Sequence, residues 1–347
     1  MKKVKWGIIG CGGIADRRMI PGMLESDSLE IVAVMDTNFD AANRVKEKCG
    51  AKYAFSTIEE LLEIAEIEAV YIATPVFCHL EQVKKAAKAQ KHILLEKPLG
   101  LNSAEAEEIK NICEKEGVLL GVGFMMRYAS YHQKLKELIE NGVLGEVVSA
   151  RAQFTCWYPE MENCWRQNKE LSGGGALMDL GIHQIDIIHY VTGLKAKEVC
   201  AFCGNQIFKY GVEDAGSILM RLSNGAMCYI DSNFNVPDSA SVSKLEIYGT
   251  KGCACLYNTL SQEDGGKFEL ILSDDSASYD AMQERKAEKT EKIEVEFGNL
   301  YTKEAESFGL AIMGNNVNFA KADDGIYAQK ITDAAYKSVL EKRFIEV

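Results

Sequence analysis

Residues 4–36 constrain this chain more than any other stretch. The run VKWGII (Val4–Ile9) is short, apolar and without alternation, as expected of a strand buried on both faces. It ends in Gly10-Cys11-Gly12-Gly13-Ile14-Ala15, a G-x-G-x-x-A turn, and helix-compatible sequence continues to Met23. LEIVAVMD, residues 29–36, reads as a second strand closed by Asp36, 26 residues beyond Gly10. Gly10 permits a tight turn. Gly12 lets backbone approach a pyrophosphate seated on a helix N-terminus, and the small Ala15 lets helix and strand pack closely. Gly10, Gly12, Gly13, Ile14 and Asp36 are therefore the expected dinucleotide-binding residues. Asp36 can accept both ribose hydroxyls of an adenosine and would repel a 2′-phosphate. Thr37 and Asn38 follow it, with no arginine, so NAD is the expected cofactor and NADP a possible one.

The alternation of strand and helix continues. Strands are expected at 51–55, 69–74, 92–96 and 118–124, and helices at 40–49, 58–66, up to Gln90, and 102–117. Thr57 and Glu60 have the spacing of a capping box. Such alternation implies a doubly wound parallel sheet, whose ligands bind at the carboxyl ends of strands. Thr74, Pro75, Glu96 and Lys97 fall at such ends, and His79 opens the following helix, so all five are expected beside the cofactor.

After residue 125 the rhythm changes. Segments 146–155, 197–208, 216–223, 226–234, 243–250, 267–272 and 291–297 alternate as antiparallel strands do. Ser223-Asn224-Gly225-Ala226 is a hairpin signal, and the charged stretch Asp274–Lys292 reads as a solvated loop. The expected fold class is α/β: a Rossmann-like N-terminal domain, residues 1–124, followed by an α+β domain, residues 125–347, with a large, mostly antiparallel sheet. Helices would cover one face of that sheet. The open face suggests a homo-oligomer, a dimer or tetramer, formed through it.

Composition excludes several classes. A net charge of −12 argues against general binding to nucleic acid or to an anionic membrane surface. Met1-Lys-Lys runs straight into a strand-like segment, so no signal peptide is expected. The eleven cysteines then read as reduced thiols in a cytoplasmic protein. Cys200-x-x-Cys203 and Cys253-x-Cys255 lack a second pair at finger-like spacing, so no metal is expected.

Four places carry candidate chemistry. Lys97 lies just past a strand end, where an amine can act as acid or hydrogen-bond donor. The run GGGALMDLGIHQIDI, residues 173–187, turns from glycines into a helix that is apolar almost all round, and therefore buried. On it Asp179 and His183 are one turn apart, and a carboxylate and imidazole there need partners. They form either a structural network or a site. Asp186, three residues beyond His183, reads as structural. Trp165-Arg166 pairs an aromatic ring with a guanidinium and suits a polyol or carboxylated ligand. Arg127, after the last Rossmann-like strand, is a similar candidate for substrate binding.

These motifs together resemble the Gfo/Idh/MocA oxidoreductases over essentially the full length. The resemblance rests on GCGGIA, AVMD, IATP at 72–75, EKP at 96–98, and WR followed by GGGALMDLGIHQID. It implies that Lys97, Asp179 and His183 line the substrate pocket beside the nicotinamide, with Arg166 near the nicotinamide or the substrate. It also implies hydride transfer at a hydroxyl-bearing carbon of a sugar, sugar derivative or cyclitol. Alternatives within the resemblance are a glycosidase that oxidises transiently through bound NAD, a reductase of a dihydrodiol-like non-sugar, and a non-enzymatic dinucleotide sensor. The intact Lys97, Asp179 and His183 argue against the last.

Overall fold

The computed structural model describes residues 3–273 and 289–347. Most of the charged stretch expected as a solvated loop lies outside the described residues. The chain divides into two compact units. The first comprises residues 1–125, 162–174 and 299–330, and the second residues 126–161, 175–298 and 331–347.

In the first unit, strands β1 (Val4–Ile9), β2 (Leu29–Met35), β3 (Tyr53–Phe55), β4 (Ala69–Ile72), β5 (His92–Glu96) and β6 (Leu120–Gly123) form a parallel sheet. Their order is β3-β2-β1-β4-β5-β6. The winding direction therefore reverses between β1 and β4, which places the ligand crevice at the carboxyl ends of those two strands. The uniform apolarity of VKWGII has its cause here: Trp6, Ile8 and Ile9 are buried in the middle of the sheet. Local signals set the flanking helices. Asn38 caps helix Phe39–Cys49 and accepts from the Ala41 N–H, and the Thr57/Glu60 capping box forms at the start of Ile58–Leu62.

In the second unit, β7 (Val147–Thr155), β8 (Ala196–Gly204), β9 (Ala215–Leu222), β10 (Met227–Asn233), β11 (Lys244–Gly249), β12 (Gly252–Tyr257), β13 (Lys267–Leu272), β14 (Lys289–Ile293) and β15 (Ile345–Glu346) form one sheet. The order is β14-β13-β12-β11-β7-β10-β9-β8-β15. Neighbours are antiparallel except β7 and β10, which run parallel. The Asn224-Gly225 turn closes the β9–β10 hairpin, with Gly225 at φ 91°. Two differences from the sequence reading have local causes. Strand β12 is additional, because Gly252, Cys253, Ala254 and Cys255 are too small to give a hydrophobic period. Strand β8 stops at Gly204, short of 208, because the Asp214 carboxylate accepts the N–H groups of Gln206, Ile207 and Phe208, each at 2.8 Å.

One face of this sheet is core: Ala150, Ile218, Ile230 and Ile247 are buried, and helix Ile182–Thr192 packs on β7. The opposite face carries a row formed by Leu219, Tyr229, Arg151 and Glu246 on neighbouring strands. These residues are half-buried or exposed. Among the described residues no helix is long and apolar enough to cross a membrane.

Candidate active site

In the first unit the glycine turn is built as its sequence demands. Gly10 adopts φ 94°, and a Cβ there would lie 2.9 Å from the Ala73 carbonyl oxygen at the end of β4. A Cβ at Gly12 would meet nothing within 4 Å, so the space above the turn is open. Asp36 is fixed beside it. Its carboxylate accepts the Cys11 N–H at 2.8 Å and the Asn38 N–H at 2.9 Å. An open cradle of backbone with an anchored acid at its edge fits a dinucleotide. The helix that follows opens with a π turn, Ala15–Met19, before continuing as Ile20–Leu24.

The ends of β4 and β5 are tied together. His79 is buried, with Nε2 3.1 Å from the Thr74 carbonyl and Nδ1 3.1 Å from the carbonyls of Pro98 and Leu99. Burial pushes its pKa down to about 4, and the contacts with the three carbonyls oppose that shift. The sequence reading placed His79 against the cofactor; the structure places its imidazole between two strand-end loops. Thr74 Oγ1 donates to Gln82 at 2.5 Å. Glu96, also expected at the cofactor, has its carboxylate buried against Tyr71, whose hydroxyl donates to it at 2.5 Å. Burial pushes the Glu96 carboxyl above the usual range, opposed by the Tyr71 hydroxyl, Lys97 and Arg166.

Lys97 follows, with a cis peptide to Pro98. The next loop is clamped by Gln329, which donates to the Gly100 carbonyl at 2.7 Å and accepts its N–H at 3.3 Å. Arg166 stacks on Trp165, its guanidinium carbon 4.3 Å from the ring centroid. Its charge acts on both Glu96 and His79. The first unit thus gathers Thr74, Glu96, Lys97 and Arg166 near the strand ends beside the glycine turn.

In the second unit the glycine run meets a buried carboxylate that sequence reasoning missed. Glu213 accepts the N–H of Gly175 and of Leu177, each at 3.0 Å, and the Tyr336 hydroxyl at 2.7 Å. A negative group at a helix N-terminus satisfies donors the helix itself cannot. Gly175 is obligatory, because a Cβ there would lie 2.0 Å from the Glu213 carbonyl oxygen. The available signal was an acidic pair, Glu213-Asp214, just before a strand, together with a buried helix start that lacks a capping side chain of its own.

From this anchor the chain makes a π turn, Leu177–Gly181, then the α-helix Ile182–Thr192. The regular helix expected from the spacing is therefore wound wider through Asp179, as π turns often are at functional sites. Asp179 is half-buried and His183 is 4% exposed. Gln184 fixes the helix to β10, donating to the Asp231 carbonyl at 2.9 Å and accepting from Ser232 at 2.5 Å.

Arg127 and Asp186 form a buried ion pair. Arg127 Nε lies 3.0 and 2.9 Å from the two Asp186 oxygens, and Nη2 lies 2.5 Å from Oδ1. The guanidinium also sits over Tyr190, 5.1 Å from its centroid. Arg127, expected at the substrate, is engaged with this carboxylate inside the second unit.

The reversal of strand order, the open glycine turn and the anchored acid define an NAD(P)-binding Rossmann unit of an oxidoreductase. Family models agree: "Oxidoreductase family, NAD-binding Rossmann fold" matches residues 4–124, and "GFO/IDH/MocA C-terminal domain" matches residues 132–255. The chain belongs to the Gfo/Idh/MocA family of oxidoreductases. It is 26% identical to the 1,5-anhydro-D-fructose reductase of Ensifer adhaerens over 344 residues, covering 99% of this chain and 98% of the relative. It is 29% identical to the D-glucoside 3-dehydrogenase of Escherichia coli K12 over 352 residues, covering 95% and 94%. The aldose–aldose oxidoreductase of Caulobacter crescentus has the same fold, with a TM-score of 0.89 at 22% identity and complete coverage of both chains.

Proposed function

We propose that the protein oxidises a secondary or anomeric hydroxyl of a sugar, sugar derivative or cyclitol with NAD, or carries out the reverse reduction. The observation that carries this reading is the second unit's anchored helix, which presents Asp179 and His183 from a buried, mostly apolar element. Sugars present vicinal hydroxyls and require several donors and acceptors at fixed spacing. The sugar-directed names of the two curated relatives support the same substrate class.

Gly10, Gly12, Gly13, Ile14, Asp36, Thr74 and Pro75 would hold the dinucleotide, with Lys97 beside it. Bound NAD supplies the hydride acceptor, C4 of the nicotinamide. His183 takes the hydroxyl proton as the hydride leaves the same carbon, so a C–H and an O–H bond break and a carbonyl forms. Lys97 donates a hydrogen bond to the reacting oxygen and stabilises developing alkoxide charge. Asp179 binds a neighbouring hydroxyl and orients His183. In reduction the same groups return the proton. Trp165 and Arg166 are assigned to the substrate side.

A panel of sugars, inositols and sugar acids with NAD⁺ and NADP⁺, followed by NADH or NADPH absorbance, tests this reading. No reduction of either cofactor by any member would sink it. The same panel tests Asp36. Asp36→Ala should raise the KM for NAD⁺ about tenfold or more, because a charged acceptor of two hydroxyls is worth a few kcal/mol. It should also narrow the preference over NADP⁺. An unchanged cofactor ratio would remove Asp36 from that role.

We assign the open face of the nine-stranded sheet to a homo-oligomeric contact. Tyr229, Leu219 and Met227 give it apolar area, and the Arg151–Glu246 and Arg221–Glu198 pairs give it charged groups on the same face. Light scattering should report a dimer or tetramer at micromolar concentration, and a monomer would count against the assignment.

A further inference from the structure

Loops 155–161, 205–212 and 233–241 of the second unit meet at one end of its sheet. They meet because β7 and β10 run parallel and both finish there, while β9 begins there. The result is an aromatic step. Trp157 bridges Asn235 through backbone and donates its N–H to Asp238 at 2.9 Å. Its ring meets the Phe208 ring edge-on, with centroids 5.1 Å apart at 72°. Phe208 stacks on Tyr210 at 5.6 Å. Beneath them, Phe234 forms a buried cluster with Ala176 and Leu180, and Tyr158 and Tyr210 pack against it. Ala176 and Leu180 belong to the same π turn and entry that carry Asp179. The step therefore abuts the candidate site within a single unit.

Folding alone does not account for it. Trp157 is 42% exposed, yet the loop facing it is rigidly held. The fully buried Asp214 fixes three successive N–H groups of that loop, and Asn205 donates to the Val212 carbonyl at 2.6 Å. A pre-organised, exposed aromatic surface is a recognition surface. A second observation points to a polar ligand. The side-chain amide nitrogen of Asn235 is buried and has no hydrogen-bond partner, and buried donors are normally paired.

We propose that the step is a subsite for a second ring, so that the substrate is a glycoside carrying another sugar or an aryl group. This rests on the sugar-oxidoreductase reading above. The C–H face of a pyranose is weakly electropositive and apolar and matches the electron-rich face of an indole. Asn235, bridged to Trp157 through backbone, brings a side-chain amide nitrogen without a partner to the same loop cluster. Free monosaccharides and inositols would leave the step uncovered.

The test compares kcat/KM of the full-length enzyme for methyl glucoside, cellobiose and p-nitrophenyl glucoside, using both anomers of the methyl and p-nitrophenyl glucosides, with NAD⁺. Two-ring substrates should be preferred by about tenfold, the worth of one stacked aromatic contact of roughly 1.4 kcal/mol. Trp157→Ala should bring that ratio close to one, whereas Trp157→Tyr should retain most of it. Quenching of tryptophan fluorescence by cellobiose, reduced in Trp157→Tyr relative to the wild type with only the Trp165 response remaining, gives a readout that needs no turnover. An unchanged ratio in Trp157→Ala overturns the subsite. So does a change in oligomeric mass in that variant, which would assign the step to a second copy of the chain. Oxidation of methyl glucoside without a two-ring preference defeats the subsite alone. Failure of every glycoside to react, with no fluorescence response, defeats the sugar reading and the subsite with it.

Discussion

Lys97→Ala and His183→Ala are each expected to lower kcat by about 10²- to 10⁴-fold, the range of positioned acid–base groups, while the affinity for NAD stays close to that of the wild type. The two losses differ in kind. In the proposed reaction Lys97 stabilises charge that exists only as the hydroxyl is deprotonated, so its removal should lower kcat and kcat/KM together. In the proposed reaction His183 takes the hydroxyl proton, so its replacement should slow the chemical step itself. His183→Asn keeps a polar side chain of similar reach and separates loss of the base from loss of packing, which matters because the residue is buried. Cofactor binding is measured separately, by nucleotide titration of each variant. Its preservation distinguishes a chemical role from a collapsed site. Full activity in both variants would end the assignment. Loss of NAD affinity in Lys97→Ala alone would move that lysine to the cofactor.

The parts of this protein that were legible in the sequence are those whose physics is local. The glycine turn, Asp36 and the Thr57/Glu60 cap each involve a short segment, and their geometry follows from residue type. The parallel sheet was legible because a strand buried on both faces must be apolar throughout, as VKWGII is. What stayed hidden depends on partners distant in sequence or on backbone. Glu213 meets Gly175 and Leu177 across 38 and 36 residues, and no periodicity links them. His79 was readable as a helix start, yet its ring is held by three backbone carbonyls, which leave no mark on the sequence. The π turn at Leu177–Gly181 carries the same apolar pattern as an α-helix and is set by the anchor at its entry. Strand β12 was missed because small side chains leave its faces undifferentiated, although its neighbours on both sides pair with it.

Arg127→Ala is expected to destabilise the protein by about 3–5 kcal/mol, because it leaves Asp186 buried without its guanidinium. That loss corresponds to a lowering of roughly 10 °C or more in the unfolding midpoint of a unit of this size. Sequence position alone made Arg127 a substrate ligand and left Asp186 without a chemical role. The pair gives Asp186 the structural partner its reading called for and gives Arg127 one as well, since each charge is buried and each answers the other. A buried pair need not be a net gain, because two charges must be removed from water to form it. The double variant Arg127→Met/Asp186→Leu should therefore recover most of the stability lost in Arg127→Ala. Chemical denaturation of the wild type, both single variants and the double variant gives the coupling directly. Kinetics on the same proteins separates the two roles. A substrate ligand would show raised KM in Arg127→Ala and again in the double variant, with little change in stability. A structural pair would show the stability loss and its recovery, with KM close to wild type in the double variant. The second pattern is expected, because the guanidinium is already engaged by Asp186 and stacked over Tyr190 on the same helix that carries His183.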